Sequence, residues 1–201
     1  MARRPAPGTR DRILRVASGL FQRHGVRAIG LQQVIDETGL GKSLLYREFS
    51  SKDELVGAWL RASDAAWWTK VEAELRRHDG DPARQMLAIV ELTLEIARSP
   101  DFHGCVFYNT ASEFRDAEHP GRREARAHLE RMRERLRSLA RAAGAEAPEE
   151  LADALMLLMG GVYVSTSVLG PTGPAAAALA SARTLIEAHC QAPAGDSRLP
   201  R

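Results

Sequence analysis

The chain has 201 residues, 44% of them hydrophobic and 5% aromatic, with 28 Lys and Arg against 26 Asp and Glu for a formal charge of +2. That is enough apolar content for a core in one large domain or two small ones. Alternating Val, Ile and Thr runs are absent, whereas Ala, Leu, Arg and Glu recur at spacings of three and four, which excludes a β protein and predicts an all-α one.

The net charge hides an asymmetry. Residues 1–55 carry 10 basic against 6 acidic side chains, and the remainder carries 18 against 20. The positive end is therefore expected to meet a polyanion. Cys105 and Cys190 lie far apart and "MARRPAPG" lacks the apolar centre of a signal peptide, so a cytoplasmic location is expected. Residues 154–182 carry no charge. The apolar part ends at Leu169 and "GPTGP" breaks it, short of the about 20 residues a span needs, so two buried helices and no membrane contact are expected.

In chain order, residues 1–8 read as a disordered basic arm. Thr9 then caps a first helix with Ile13, Ala17, Leu20 and Phe21 on one face, closed at His24 and Gly25. A short second helix keeps Leu31, Val34, Ile35 and Thr38 inside. Gly39 to Gly41 form a turn, a third helix follows, and Ser51 with Glu54 three residues later is a capping box that starts a fourth. The fourth runs through Trp59, Trp67 and Leu75 to "HDGDP". Further helices are expected near 83–98, 104–115, 120–143, 148–168 and 174–190, with a disordered tail over 192–201.

Two short helices joined by a glycine turn are the pattern of a helix-turn-helix, whose second helix enters the major groove. At about 100° per residue, Leu45 and Phe49 turn inward together. Ser43, Leu44 and Arg47 then face out, with Lys42 and Tyr46 on one flank. An outward Arg bonds guanine edges bidentately, an outward Leu meets a thymine methyl, and Lys and Tyr suit phosphates. Lys52, at the positive end of the next helix, is placed for the phosphate backbone, and Arg27, Gln32 and Gln33 are further polar candidates. A helical bundle with a solvated basic rim fits the same pattern.

The stretch "GLGKSLLYREFSSKDEL" resembles the signature of TetR-type transcriptional regulators at Gly39, Lys42, Leu45, Tyr46, Phe49, Ser51, Lys52 and Leu55, and Phe21 and Gly25 upstream fit as well. "HGCVFYN" adds a weaker likeness. The sequence departs from the family at Ile29 or Gly30, Gly41 and Leu44, where a hydroxyl residue is usual. The resemblance implies a three-helix helix-turn-helix DNA-binding domain over 9–55 and a helical ligand-sensing and dimerising bundle over 56–191. It implies two copies reading a near-palindromic double-stranded operator, a small-molecule effector, and no cofactor.

The expected dimer face is Leu151, Leu155, Leu158 and Val162 with Ala178, Leu179, Ala182 and Ile186, small and apolar residues suited to close helix approach. The same residues serve equally as an intramolecular core. For the implied ligand pocket the candidates are Trp67, Trp68, Met86, Phe102, Phe107, Tyr108, Asn109, Glu113 and Tyr163, apolar bulk with a few polar tips; each also fits plain core. His103, Cys105, His119 and His128 match no closed zinc spacing, so no metal is expected. A Gly-rich phosphate loop and a G-x-S-x-G motif are both absent, so no enzyme is expected. The rival reading is a helical-bundle carrier or enzyme that ignores DNA.

Overall fold

The computed structural model describes residues 8–190. The expected arm up to residue 7 and the tail 192–201 lie outside the described residues. Within them the chain is helical throughout: α1 (Thr9–His24), α2 (Leu31–Thr38), α3 (Lys42–Glu48), α4 (Lys52–Arg77), α5 (Pro82–Ala97), α6 (Val106–Glu113), α7 (Pro120–Ala142), α8 (Pro148–Leu169), a 3-10 turn (Pro174–Ala177) and α9 (Ala178–Cys190). The sequence pattern predicts the last segment as one helix from 174. Pro174 instead opens a tight 3-10 turn after Gly173, and regular helix begins at Ala178.

The helices gather into two compact units, each made of two stretches of chain. One holds residues 8–68 with His103–Leu129, the other Thr69–Phe102 with residues 130–190. Helices α4 and α7 each run unbroken from one unit into the other.

In the first unit α1 buries Ile13, Ala17, Leu20 and Phe21 and ends where Gly25, at φ 81, returns its N–H to the Phe21 carbonyl. Thr9 is not its cap: Gly8, at φ 85, holds that position without a side-chain bond, and Thr9 is already the first helical residue. Val34, Ile35 and Thr38 of α2 are buried alongside Leu45, Phe49, Leu55, Val56 and Trp59. Trp59 packs its ring 5.2 Å from that of Phe21 and donates its indole N–H to Ser18 Oγ at 3.1 Å. The capping box before α4 forms only by half. Ser51 Oγ does accept the Glu54 N–H at 3.1 Å, but the Glu54 carboxylate turns to the N–H and hydroxyl of Ser50.

In the second unit α5, α8 and α9 pack against one another. Helix α5 is started by Asp81, which accepts the Arg84 N–H at 2.9 Å, and by Pro82 in the first turn. Arg133 and Arg141 of α7 pair with Asp153 and Glu149 of α8. Helix α8 is 22 residues long and apolar enough by length and composition to cross a membrane, so the expected shortness of this run is corrected. Its Leu151, Leu155, Met159, Val162 and Thr166 side is nonetheless buried, and it packs on α5 and α9 as a core helix does.

Candidate nucleic-acid interface

Helix α3 is seven residues long because its ends are set by two opposite demands. Gly41 in extended conformation begins it, and Phe49 at φ −141 and ψ 116 leaves the helix to sink into the core. Leu45 is fully buried and Phe49 almost so. These two are its deep anchors, so the rest of its surface stays outside: Lys42, Ser43 and Arg47 are exposed, Tyr46 is 44% exposed and Leu44 is half-buried. The Lys42 ammonium lies over the Tyr46 ring at 5.8 Å, an arrangement that keeps both on one flank. Arg10 closes the far end, donating to the Glu48 carbonyl at 2.6 Å while its guanidinium covers the Phe49 ring at 4.2 Å.

Helix α2 meets α3 through Gly39, left-handed at φ 63, and Leu40. A side chain at Gly39 would strain this backbone, and without the reversal α3 loses its angle to α2. Gln32 and Gln33 are exposed on α2, and the Gln32 amide donates to Asp36 one turn on at 2.8 Å. The caps of α2 and α3 are Gly30 and Gly41, neither with a side-chain bond.

Lys52 opens α4 and is half-buried; that burial lowers its pKa, Glu113 and Asp53 pull it back up, and Arg27 lowers it further. Next in the chain, Asp53 meets a histidine of α7's approach. His119 accepts the Gly121 N–H at Nδ1 (3.1 Å), which leaves Nε2 to donate to Asp53 Oδ1 at 3.3 Å. All nine expected DNA contacts, Arg27, Gln32, Gln33, Lys42, Ser43, Leu44, Tyr46, Arg47 and Lys52, thus belong to the first unit.

The expected ligand residues divide between the units. Trp67, Trp68, Phe107, Tyr108, Asn109 and Glu113 lie in the first, and Met86, Phe102 and Tyr163 in the second. The Glu113 carboxylate accepts the backbone N–H groups of Val26 and Arg27, at 2.9 and 2.6 Å, and the Asn109 amide donates to the His103 carbonyl at 2.9 Å. Both side chains also line a small pocket with Phe21, Trp59 and Thr110. Sequence reasoning misses a buried pair: His128 stacks on Phe107 at 3.6 Å, meets the edge of Trp67 and bonds Asp64 Oδ1 at 2.7 Å through Nδ1. Asp64 lies three residues before Trp67, so it shares that helix face, the one signal available in the sequence. In the second unit Phe102 and Tyr163 stack at 5.7 Å. Burial raises the Cys105 thiol and, less completely enclosed, the Tyr108 hydroxyl. Among the described residues no group of three or more His, Cys, Asp or Glu is placed to hold a metal ion.

Of the expected dimer residues, Leu151, Leu155, Val162, Ala178, Ala182 and Ile186 are buried within the chain itself, and Leu158 and Leu179 are half-buried. Helix α8 is apolar on both sides, and the side left open carries Leu157, Val164 and Val168, exposed by 79%, 62% and 75%.

A short helix anchored by two core residues, with its polar side outward and a second helix behind it, defines a helix-turn-helix DNA-binding protein. Residues 13–59 match the family model of bacterial regulatory proteins of the TetR family, and residues 82–182 that of the tetracyclin repressor-like C-terminal domain. The chain belongs to the TetR family and is a DNA-binding transcriptional regulator. Its fold is similar to that of the TetR-family regulator SCO4454 from Streptomyces coelicolor, at 25% identity and a TM-score of 0.86 over 90% of this chain and 96% of that one. A structure assigned as a TetR transcriptional regulator, sav143 from Streptomyces avermitilis, is 31% identical, with a TM-score of 0.79 over 91% and 98%. Reduced NemR from E. coli shares the fold at 20% identity and a TM-score of 0.79, over 88% and 95%.

Proposed function

We propose that the protein is a homodimeric repressor that reads a near-palindromic operator with α3 in the major groove and is released by a small-molecule effector. The reading is supported above all by the exposed Lys42, Ser43, Tyr46 and Arg47 on a helix whose other side is locked by Leu45 and Phe49. Arg47 and Ser43 face base edges, Lys42, Tyr46 and Lys52 hold phosphates, and Arg27, Gln32, Gln33 and Leu44 flank them. Such a protein works by binding rather than turnover, in the cytoplasm where its DNA is.

The open α8 stripe supports the dimer. Three large aliphatic side chains spread along one side of the helix are costly to leave in water and suit a second copy. The effector would lie in the first unit, against Trp67 and Phe107. There the indole N–H of Trp67 and the hydroxyl of Thr110 are buried with no hydrogen-bond partner, which favours a ligand with acceptor oxygens or nitrogens.

The base and phosphate roles separate by experiment. Arg47→Ala is expected to cost about 1–3 kcal/mol at one base position and to relax preference there. Lys52→Ala is expected to weaken all duplexes alike and to reduce the salt slope by about one. Titrations of operator and scrambled duplex over a salt series check both. Equal, sequence-blind losses from the two variants would remove the assignment of faces.

A further inference from the structure

Glu113 is the last residue of α6, and both of its carboxylate oxygens are used. Oε1 accepts the Val26 N–H at 2.9 Å and Oε2 the Arg27 N–H at 2.6 Å, while Arg27 Nη1 donates back to the Glu113 carbonyl at 3.3 Å. Both amides belong to the turn between α1 and α2, where no helix ladder provides acceptors. Glycine makes the approach possible. Gly25 has φ 81, and a Cβ there would come within 3.2 Å of Oε1. Burial lowers the pKa of Lys52 at the start of α4, and the same carboxylate charge acts against that by raising it. Arg122 of α7 donates to the carbonyls of Ala111 and Phe114, at 3.2 and 2.6 Å, and so ties the end of α6 to α7.

We propose that Glu113 is a positioning residue for DNA reading: it fixes the α1–α2 turn to α6, so that the place of α6 sets the register of α2 and α3. The inference rests on the DNA-reading role given above. The turn leads directly into α2, and α2 is joined to α3 through only Gly39, Leu40 and Gly41, so a loosened turn tilts α3. Bidentate bonds to base edges demand fixed angles, whereas phosphate contacts tolerate small displacements. Loss of the carboxylate is therefore felt by sequence recognition before general affinity.

The test uses full-length Glu113→Gln, which keeps one acceptor and turns an NH2 group toward the other amide, and Glu113→Ala, which removes both. Hydrogen exchange at the Val26 and Arg27 amides is expected to accelerate about tenfold in the first variant and further in the second, with α8 and α9 unchanged. Affinity for a selected operator is expected to fall about tenfold and affinity for a scrambled duplex less than about twofold. Unchanged exchange, or equal losses on the two duplexes, overturns the inference. If the wild type itself fails to discriminate between duplexes, the DNA-reading role falls and this inference with it; a discriminating wild type and an equally discriminating variant sink the inference alone.

Discussion

Arginine at both Leu157 and Val164 is expected to convert the protein to a monomer and to lower operator affinity by about 10²–10⁴. The two positions are 79% and 62% exposed in the single chain, so the substitutions leave its own core intact and the helical content unchanged. In a dimer the same stripe is closed over, and the introduced guanidinium groups, without partners, would be stripped of water across the twofold axis. A lone reading helix of seven residues then has to bind a half-site unaided. Sedimentation together with operator titration checks the result. Leu155→Arg is the informative contrast, because Leu155 has no exposed surface: it is expected to unfold the second unit rather than merely separate the copies. Persistence of a dimer in the double arginine variant would place the interface elsewhere.

Phe49→Ala is expected to cost about 3–5 kcal/mol. Phe49 is 1% exposed, accepts the Arg10 guanidinium on one ring face, and returns its own N–H to the Leu45 carbonyl at 2.9 Å to terminate α3. Its truncation opens a cavity beneath the reading helix and frees the Arg10 guanidinium from its ring at the same time. Denaturant unfolding followed by hydrogen exchange in α3 measures the effect. A cost under about 1 kcal/mol would mean that α3 is held by other contacts than these.

The reading head is legible in the sequence because α3 has so few choices. With only Leu45 and Phe49 at helical spacing and in reach of the core, its other side chains have one direction left. Leu44 ends up half-buried rather than fully outward, since on so short a helix the boundary between faces falls within one residue. Helix α8 shows the opposite case. Leu151, Leu155, Met159 and Val162 on one side and Leu157, Val164 and Val168 on the other are equally apolar, so periodicity finds the helix and cannot rank its faces. Packing against α5 and α9 decides which side is closed, and that is a tertiary fact.

Glu113 reads as a polar tip for a ligand because glutamate among aromatics invites that reading. Its partners are backbone amides more than eighty positions earlier in the chain, and no side-chain pattern marks a bare N–H. The gathering of His103–Leu129 with the first three helices is hidden from the sequence for the same reason. The misplaced cap at Thr9 is a smaller matter: threonine is the better capping residue in isolation, but Gly8 adopts φ 85 without strain.

The most direct measurement is selection of bound sites from random duplexes by the wild type and by Arg47→Ala side by side. The account predicts a near-palindrome whose half-sites lie about 34–36 Å apart, or a multiple of that spacing, with one symmetric base position blurred in the variant. Recovery of no preferred sequence, or of one identical for the two proteins, would contradict it.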